Sequence, residues 1–182
     1  MLHYTQIDLL VMAEEASPQP ILLARLIKIL HGVFCEKPET FAIALPAQGF
    51  SSVRVFSRDR AELDFLAKAV QSHWFVRDYT RLGYPVSVPA DYAGAWMTYR
   101  RFRIPSAKSD RNAKVGQPTL GQRRSAQAQK EGLVYLISDS QSNQHKFSLF
   151  VKCEAATGPG EFRPNAYGLS SSERAFALPD IA

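Results

Sequence analysis

Cysteine is scarce: the 182 residues hold Cys35 and Cys153 and no other. Two thiols cannot by themselves complete a structural zinc site, and one pair in a chain of this size does not suggest a secreted disulfide scaffold. A reducing cytoplasm is therefore the expected compartment. Long apolar runs are missing as well. No stretch is long enough to span a bilayer, and Met1-Leu2-His3-Tyr4 comes without a basic stretch feeding an apolar one, which argues against export and membrane insertion. The four histidines are scattered, and neither a paired-carboxylate motif nor His-Glu-x-x-His occurs, so no metal-nuclease site is visible. A Gly-x-Ser-x-Gly elbow is absent too. His31, Asp139 and Ser140 offer the residue types of a hydrolase triad, but adjacent Asp and Ser cannot easily occupy opposite ends of one histidine.

What is present suits a folded chain. An apolar share of 46% is ample for a buried core, and the length fits one large domain or two small ones. The net charge of +5 is only mildly suggestive of a polyanionic partner. Its placement is more telling. Between Tyr99 and Glu131 stand Arg100, Arg101, Arg103, Lys108, Arg111, Lys114, Arg123, Arg124 and Lys130 against Asp110 and Glu131, a local excess of +7 that leaves the rest of the chain net acidic.

Hydrophobic periodicity orders the first half. Ile7, Leu9 and Val11 alternate with Tyr4, Gln6 and Asp8, the period of a half-buried strand. Ser17-Pro18 offers a cap and first-turn proline for a helix whose apolar stripe is Leu22, Leu26, Ile29, Leu30 and Val33, with Arg25, Lys28 and Gly32 opposite, ending at Lys37-Pro38. Phe41 to Leu45 and Val53 to Val55 read as strands around a turn at Gly49, Ser51 and Ser52. Arg60 to Phe75 predicts a second helix and Val86 to Val88 a fourth strand. The order β-α-β-β-α-β is the ferredoxin-like, RRM-like unit of an α+β protein. Behind a linker at Asp91 to Trp96 come a basic strand from Thr98 to Ile104, a short polar helix within Thr119 to Lys130, and a hairpin of Leu133 to Ile137 with Phe147 to Lys152. A polar loop, Ser138 to His145, closes that hairpin. The tail from Gly158 is irregular, and no internal repeat is visible.

Three groups can carry chemistry. His31 lies at the margin of the apolar stripe, with Cys35 one turn on. The plain reading is a partly buried ring whose nitrogen bonds a carbonyl; the functional one is a general base working near neutral pH, with Gly32 leaving room for a ligand. Ser138, Ser140 and Ser142 are ordinary turn residues, yet a serine facing His31 could hold a ribose 2′-hydroxyl in line with its own phosphate. The basic segment is either a solvated surface or, because Tyr99-Arg100-Arg101-Phe102-Arg103 interleaves aromatic and basic side chains, a surface for stacking on bases and pairing with phosphates.

Together these pieces resemble the CRISPR repeat-processing endoribonucleases of subtype I-F systems, the Csy-type members of the repeat-associated RNA-binding superfamily. The resemblance is carried by His3-Tyr4, Leu30-His31, Ile43-Ala-Leu-Pro46, Ala107-Lys108-Ser109, Ser140-Gln-Ser142 leading into Phe147-Ser-Leu-Phe-Val151, and Tyr167-Gly-Leu-Ser170, in that order along most of the chain. It implies a ferredoxin-like domain over residues 1–90 that carries the catalytic histidine. Residues 91–182 would form an α/β RNA-hairpin-binding half with a basic segment and a β-hairpin.

By the same resemblance His31 matches the base that deprotonates the 2′-hydroxyl, Ser140 the serine that positions it, and Tyr167 the tyrosine that supports the histidine. Ser142 matches a serine near the scissile phosphate, and Arg103 an arginine that reads a closing guanine. Gln141, Arg100, Arg101, Lys108, Arg111, Lys114, Arg123 and Arg124 complete the expected RNA contacts. Cleavage is expected at the 3′ base of the stem without metal or cofactor, leaving a 2′,3′-cyclic phosphate. The expected partners are the crRNA 3′ stem-loop and the backbone and other subunits of the type I-F surveillance complex, the backbone subunit meeting the solvent-facing side of the N-terminal half. Two departures stand out. The groove-binding helix offers Arg123, Arg124 and Lys130 among Gln122, Gln127 and Gln129 where the family commonly has a dense arginine run. Pro105 and Ser106 replace the glutamine that assists the guanine-reading arginine. The alternatives are a non-cleaving RNA-hairpin-binding subunit of a CRISPR or transposon-associated complex, and a ferredoxin-like interaction module with no nucleic-acid role.

Overall fold

The computed structural model describes residues 1–10, 19–45, 51–105, 117–139 and 146–181. Strand β1 (His3–Leu9) alternates as its sequence predicts, with Thr5, Ile7 and Leu9 buried and Tyr4, Gln6 and Asp8 half-exposed. Helix α1 (Gln19–Glu36) buries Leu23, Leu26, Ile27, Leu30 and Phe34, a wider stripe than one sheet requires. It stops immediately before Lys37-Pro38, where proline disfavours helical backbone at the preceding residue. The starting signal Ser17-Pro18 lies outside the described residues.

Strands β2 (Ala42–Ala44) and β3 (Ser52–Ser57) follow, then helix α2 (Arg60–Gln71), whose N-terminus is closed by Asp59 accepting the Ala61 N–H at 2.9 Å. The helix expected to reach Phe75 is broken. Ser72 ends α2, and the His73 ring accepts the Phe75 N–H at 3.2 Å, so a separate short helix α3 (Trp74–Tyr79) begins there. The apolar spacing of Leu63, Leu66, Val70 and Trp74 is compatible with one helix; the break depends on a histidine acting as a cap. The fourth strand also differs from expectation. It begins at β4 (Thr80–Leu82), bulges at Gly83, and resumes as β5 (Val86–Ser87), both parts pairing with β1. Gly83 donates to the Gln6 carbonyl at 2.8 Å, and a Cβ there would lie 3.0 Å from that oxygen, so glycine sets the bulge.

The first sheet has the order β2-β3-β1-β4, with antiparallel pairing throughout. That order on a β-α-β-β-α-β chain is the ferredoxin-like arrangement. The second sheet comprises β6 (Trp96–Phe102), β7 (Val134–Asp139), β8 (Lys146–Ala156) and β9 (Leu178–Pro179), with helix α4 (Leu120–Lys130) between β6 and β7. Its order is β7-β8-β6-β9, again antiparallel. The order thus repeats that of the first sheet, with the irregular residues 157–177 standing where the second crossover helix would be. Ser138 and Asp139, expected in the loop, belong to β7.

Helix α1 packs against β7 of the second sheet while its side chains share one core with those of the first, which explains the width of its apolar stripe. One hydrophobic cluster therefore runs from Ile7, Leu26, Leu30 and Leu63 through Leu136 and Leu149 to Leu169 and Phe176. Each fully buried leucine in it contributes about 1.5–3 kcal/mol of burial. Among the described residues no helix is long and apolar enough to cross a membrane.

Candidate active site

His31 sits one turn from the end of α1, half-buried at the edge of the shared core. Its Nδ1 lies 2.6 Å from the carbonyl oxygen of Ala166. A carbonyl only accepts, so Nδ1 carries the proton and the neutral ring keeps its lone pair on Nε2. The plain reading of this residue, a ring nitrogen bonded to a carbonyl, is therefore compatible with the functional one, because the bond leaves the basic nitrogen free of that partner. The Tyr167 ring lies parallel to the imidazole, with centroids 4.2 Å apart and planes 1° from parallel. The Cys35 thiol, one turn along the helix, is 3.7 Å from each ring nitrogen.

Ala166 and Tyr167 reach the histidine through a tight turn in the tail. Asn165 Oδ1 accepts the Tyr167 N–H at 2.8 Å and the Leu169 N–H at 3.1 Å. Gly168 adopts φ +74°, in the left-handed region, and a Cβ on it would lie 3.0 Å from Ile43 N and from Phe34 Cε2. Its carbonyl accepts the Ile43 N–H at 2.9 Å, fastening the turn to the free edge of β2. Ser170, 2% exposed, donates its N–H to the Tyr99 carbonyl and accepts the Phe176 N–H on Oγ, so it secures the tail to β6. Glu39, at φ 61°, pairs with Arg174 and with Arg163 on either side of the turn.

Beside Tyr167 opens a cleft of about 620 Å³ lined by Arg100, Arg101, Arg103 and Arg124 together with tail residues from Asn165 to Glu173. The Nε of Arg100 is buried and has no protein partner among the described residues. Such a donor costs about 1–3 kcal/mol when left unsatisfied, which favours an anionic or oxygen-rich ligand there. Arg124 spans from α4 to the end of β6, donating to the Arg103 carbonyl at 3.2 Å with its guanidinium 5.0 Å from the Phe102 ring centre. Helix α4 is started by a capping box of Thr119 and Gln122. Arg123 is exposed on α4 and does not line the cleft. Burial pushes the Tyr99 phenol far above its usual range, so this core tyrosine stays protonated and offers no base.

The expected residues thus fall into two groups. His31 and Tyr167 are in contact, and Arg100, Arg101, Arg103 and Arg124 gather at one cleft that Tyr167 also lines. Ser140, Gln141, Ser142, Lys108, Arg111 and Lys114 lie outside the described residues. The strands flanking the three-residue serine motif are paired up to Asp139 and Lys146, and β7 lies against α1. Residue-type reasoning missed Ala166, whose contribution is a backbone carbonyl. It also missed Asn165, although Asn followed by glycine three residues later is a turn signal, and Glu39. Among the described residues no group of three or more His, Cys, Asp or Glu side chains is placed to hold a metal ion.

The family model described as CRISPR-associated protein (Cas_Csy4) matches residues 4–180. No curated protein sequence matches. Among solved structures, the chain is similar to CRISPR endoribonuclease Cse3 bound to a 19-nucleotide RNA, at 16% identity over 93% of this chain and 96% of that one, with a TM-score of 0.33. It is also similar to a provisionally assigned chlorite dismutase, TA0507, at 13% identity over 82% of this chain and 79% of that one, with a TM-score of 0.30. At such distances neither likeness carries an argument.

Proposed function

The chain belongs to the Cas_Csy4 family of CRISPR-associated proteins, the type I-F repeat-processing endoribonucleases, and we propose that it cleaves CRISPR repeat RNA by 2′-hydroxyl attack with His31 as the base. The observation that carries this reading is the Nδ1 contact to Ala166, which leaves the Nε2 lone pair as the proton acceptor. His31 takes the proton of the 2′-hydroxyl just upstream of the scissile phosphate. The 2′-oxygen then bonds to phosphorus as the bond to the 5′-oxygen of the next nucleotide breaks, that oxygen takes a proton from solvent, and His31 returns to solvent the proton it accepted. The products are a 2′,3′-cyclic phosphate and a 5′-hydroxyl. The nucleophile is already tethered to its phosphate, so orientation and a base supply most of what the reaction needs, and a metal is not required by the chemistry.

Ser140 would orient the attacking hydroxyl and Ser142 would lie near the phosphate. Tyr167 would keep the imidazole plane in place by stacking. The arginine cleft beside it suits the RNA backbone, with Arg103 reading the closing guanine of the stem and Arg100 offering its unpartnered Nε to a phosphate or base oxygen. Gln141, Lys108, Arg111, Lys114, Arg123 and Arg124 would extend the contact along the stem. In this reading residues 1–90 supply the base and residues 91–182 hold the hairpin. The product stays bound as the 3′ stem-loop of the crRNA within the cytoplasmic type I-F surveillance complex.

His31→Ala tests the assignment. Cleavage of the repeat hairpin should fall by about 10²–10⁴-fold, the range of a general base, while hairpin affinity is kept. Unchanged cleavage would remove His31 from the mechanism.

A further inference from the structure

Asn165 is the most heavily bonded residue of the turn that meets His31, and RNA chemistry does not account for its bonds. Besides accepting the Tyr167 and Leu169 N–H groups on its side chain, it donates its own N–H to the Leu169 carbonyl at 3.0 Å and accepts the Gly168 N–H at 2.8 Å. Ala166 lies between two residues fixed in this way, so its carbonyl has one direction. That direction is toward Nδ1 of His31. The same bonds fix the backbone of Tyr167, whose ring stacks on the imidazole, while the Gly168 carbonyl holds the turn to Ile43.

We infer that Asn165 is a positioning residue for His31: by fixing the Ala166 carbonyl and the Tyr167 ring, it holds the imidazole in the Nδ1–H tautomer that leaves Nε2 able to take a proton. A neutral imidazole in water favours the opposite tautomer, with the proton on Nε2, which cannot act as a base there. The carbonyl must therefore be held in place for the productive form to dominate. Without an acceptor at position 165, two N–H groups of the turn lose their partner, and the carbonyl loses its orientation. Aspartate keeps an acceptor oxygen at the same reach.

This inference rests on His31 being the base, but the tautomer can be read without RNA. Protein labelled with ¹⁵N-histidine, at mildly alkaline pH, should show the Nδ1–H pattern for His31 in the parent chain and in Asn165→Asp, and a shift toward Nε2–H in Asn165→Ala. Single-turnover cleavage of the repeat hairpin, read at saturating protein, should fall about a hundredfold in Asn165→Ala, the scale of a misplaced catalytic group, with most of the rate recovered in Asn165→Asp. Asn165→Ser, a shorter acceptor, should fall between the two and serves if the alanine variant fails to fold. An unchanged tautomer and rate in Asn165→Ala, or equal loss in the alanine and aspartate variants, would overturn the role. If the parent chain shows the Nδ1–H pattern and the Asn165 dependence yet does not cut RNA, the positioning stands and the proposed reaction falls.

Discussion

The two sheets share one strand order and differ in what covers them. In the first, both crossovers are helical, and side chains such as Leu30 and Leu63 pack the core at 0% exposure. In the second, the first crossover includes α4 and the second is the irregular chain 157–177, secured by backbone bonds to β2 and β6 and by ion pairs to Glu39. A helix has its own backbone donors and acceptors occupied internally. An irregular crossover has carbonyls to spare, and this one turns one toward His31 on the neighbouring unit. A loop in place of a helix in one copy of the topology is thus what brings a backbone acceptor to His31.

Four substitutions test that contrast. Leu30→Ala, in the helix shared by both sheets, should destabilise the fold by about 2–5 kcal/mol in a single denaturation transition; two transitions with one unshifted would show that the sheets do not share a core. Gly168→Ala acts where the irregular crossover meets α1 and β2. Left-handed strain of about 1–3 kcal/mol and the contact with Ile43 and Phe34 should displace the turn, lowering cleavage rate far more than hairpin affinity. Gly32 offers the control, since a Cβ there meets nothing within 4 Å among the described residues. Gly32→Ala should raise stability by about 0.5–1 kcal/mol in thermal melts, and a fall in cleavage despite that gain would place RNA against this face of α1. The ion pairs come last. The partly exposed Glu39 pairs are worth about 0–1 kcal/mol, so Glu39→Gln should change the melting point little, and any loss should shrink as salt rises.

The sequence was legible where burial sets the pattern. The alternation of β1, the end of α1 at Lys37-Pro38, the polar helix after Thr119 and the hairpin of β7 and β8 are all legible as local patterns of residue type. It was less legible where a single contact decides. The His73 cap that splits the second helix, the Gly83 bulge in the edge strand and the short β9 each depend on tertiary partners that a pattern of residue types does not carry. The site divides in the same way. His31 is identifiable as a residue type and Tyr167 by family likeness, and the two meet in the structure, whereas Ala166 contributes a backbone atom and could not have been chosen by side-chain chemistry. The repeated strand order also left no trace in the sequence, where irregular chain over 157–177 replaces the second crossover helix.

The central claim is that the RNA's own 2′-hydroxyl is the nucleophile, and cleavage of the repeat hairpin in excess EDTA tests it most directly. The same RNA with a 2′-deoxy nucleotide just upstream of the scissile phosphate is run beside it. Cutting of the all-ribose hairpin alone, leaving a 2′,3′-cyclic phosphate, is the predicted result; cutting of both substrates, or cutting that EDTA abolishes, would contradict it.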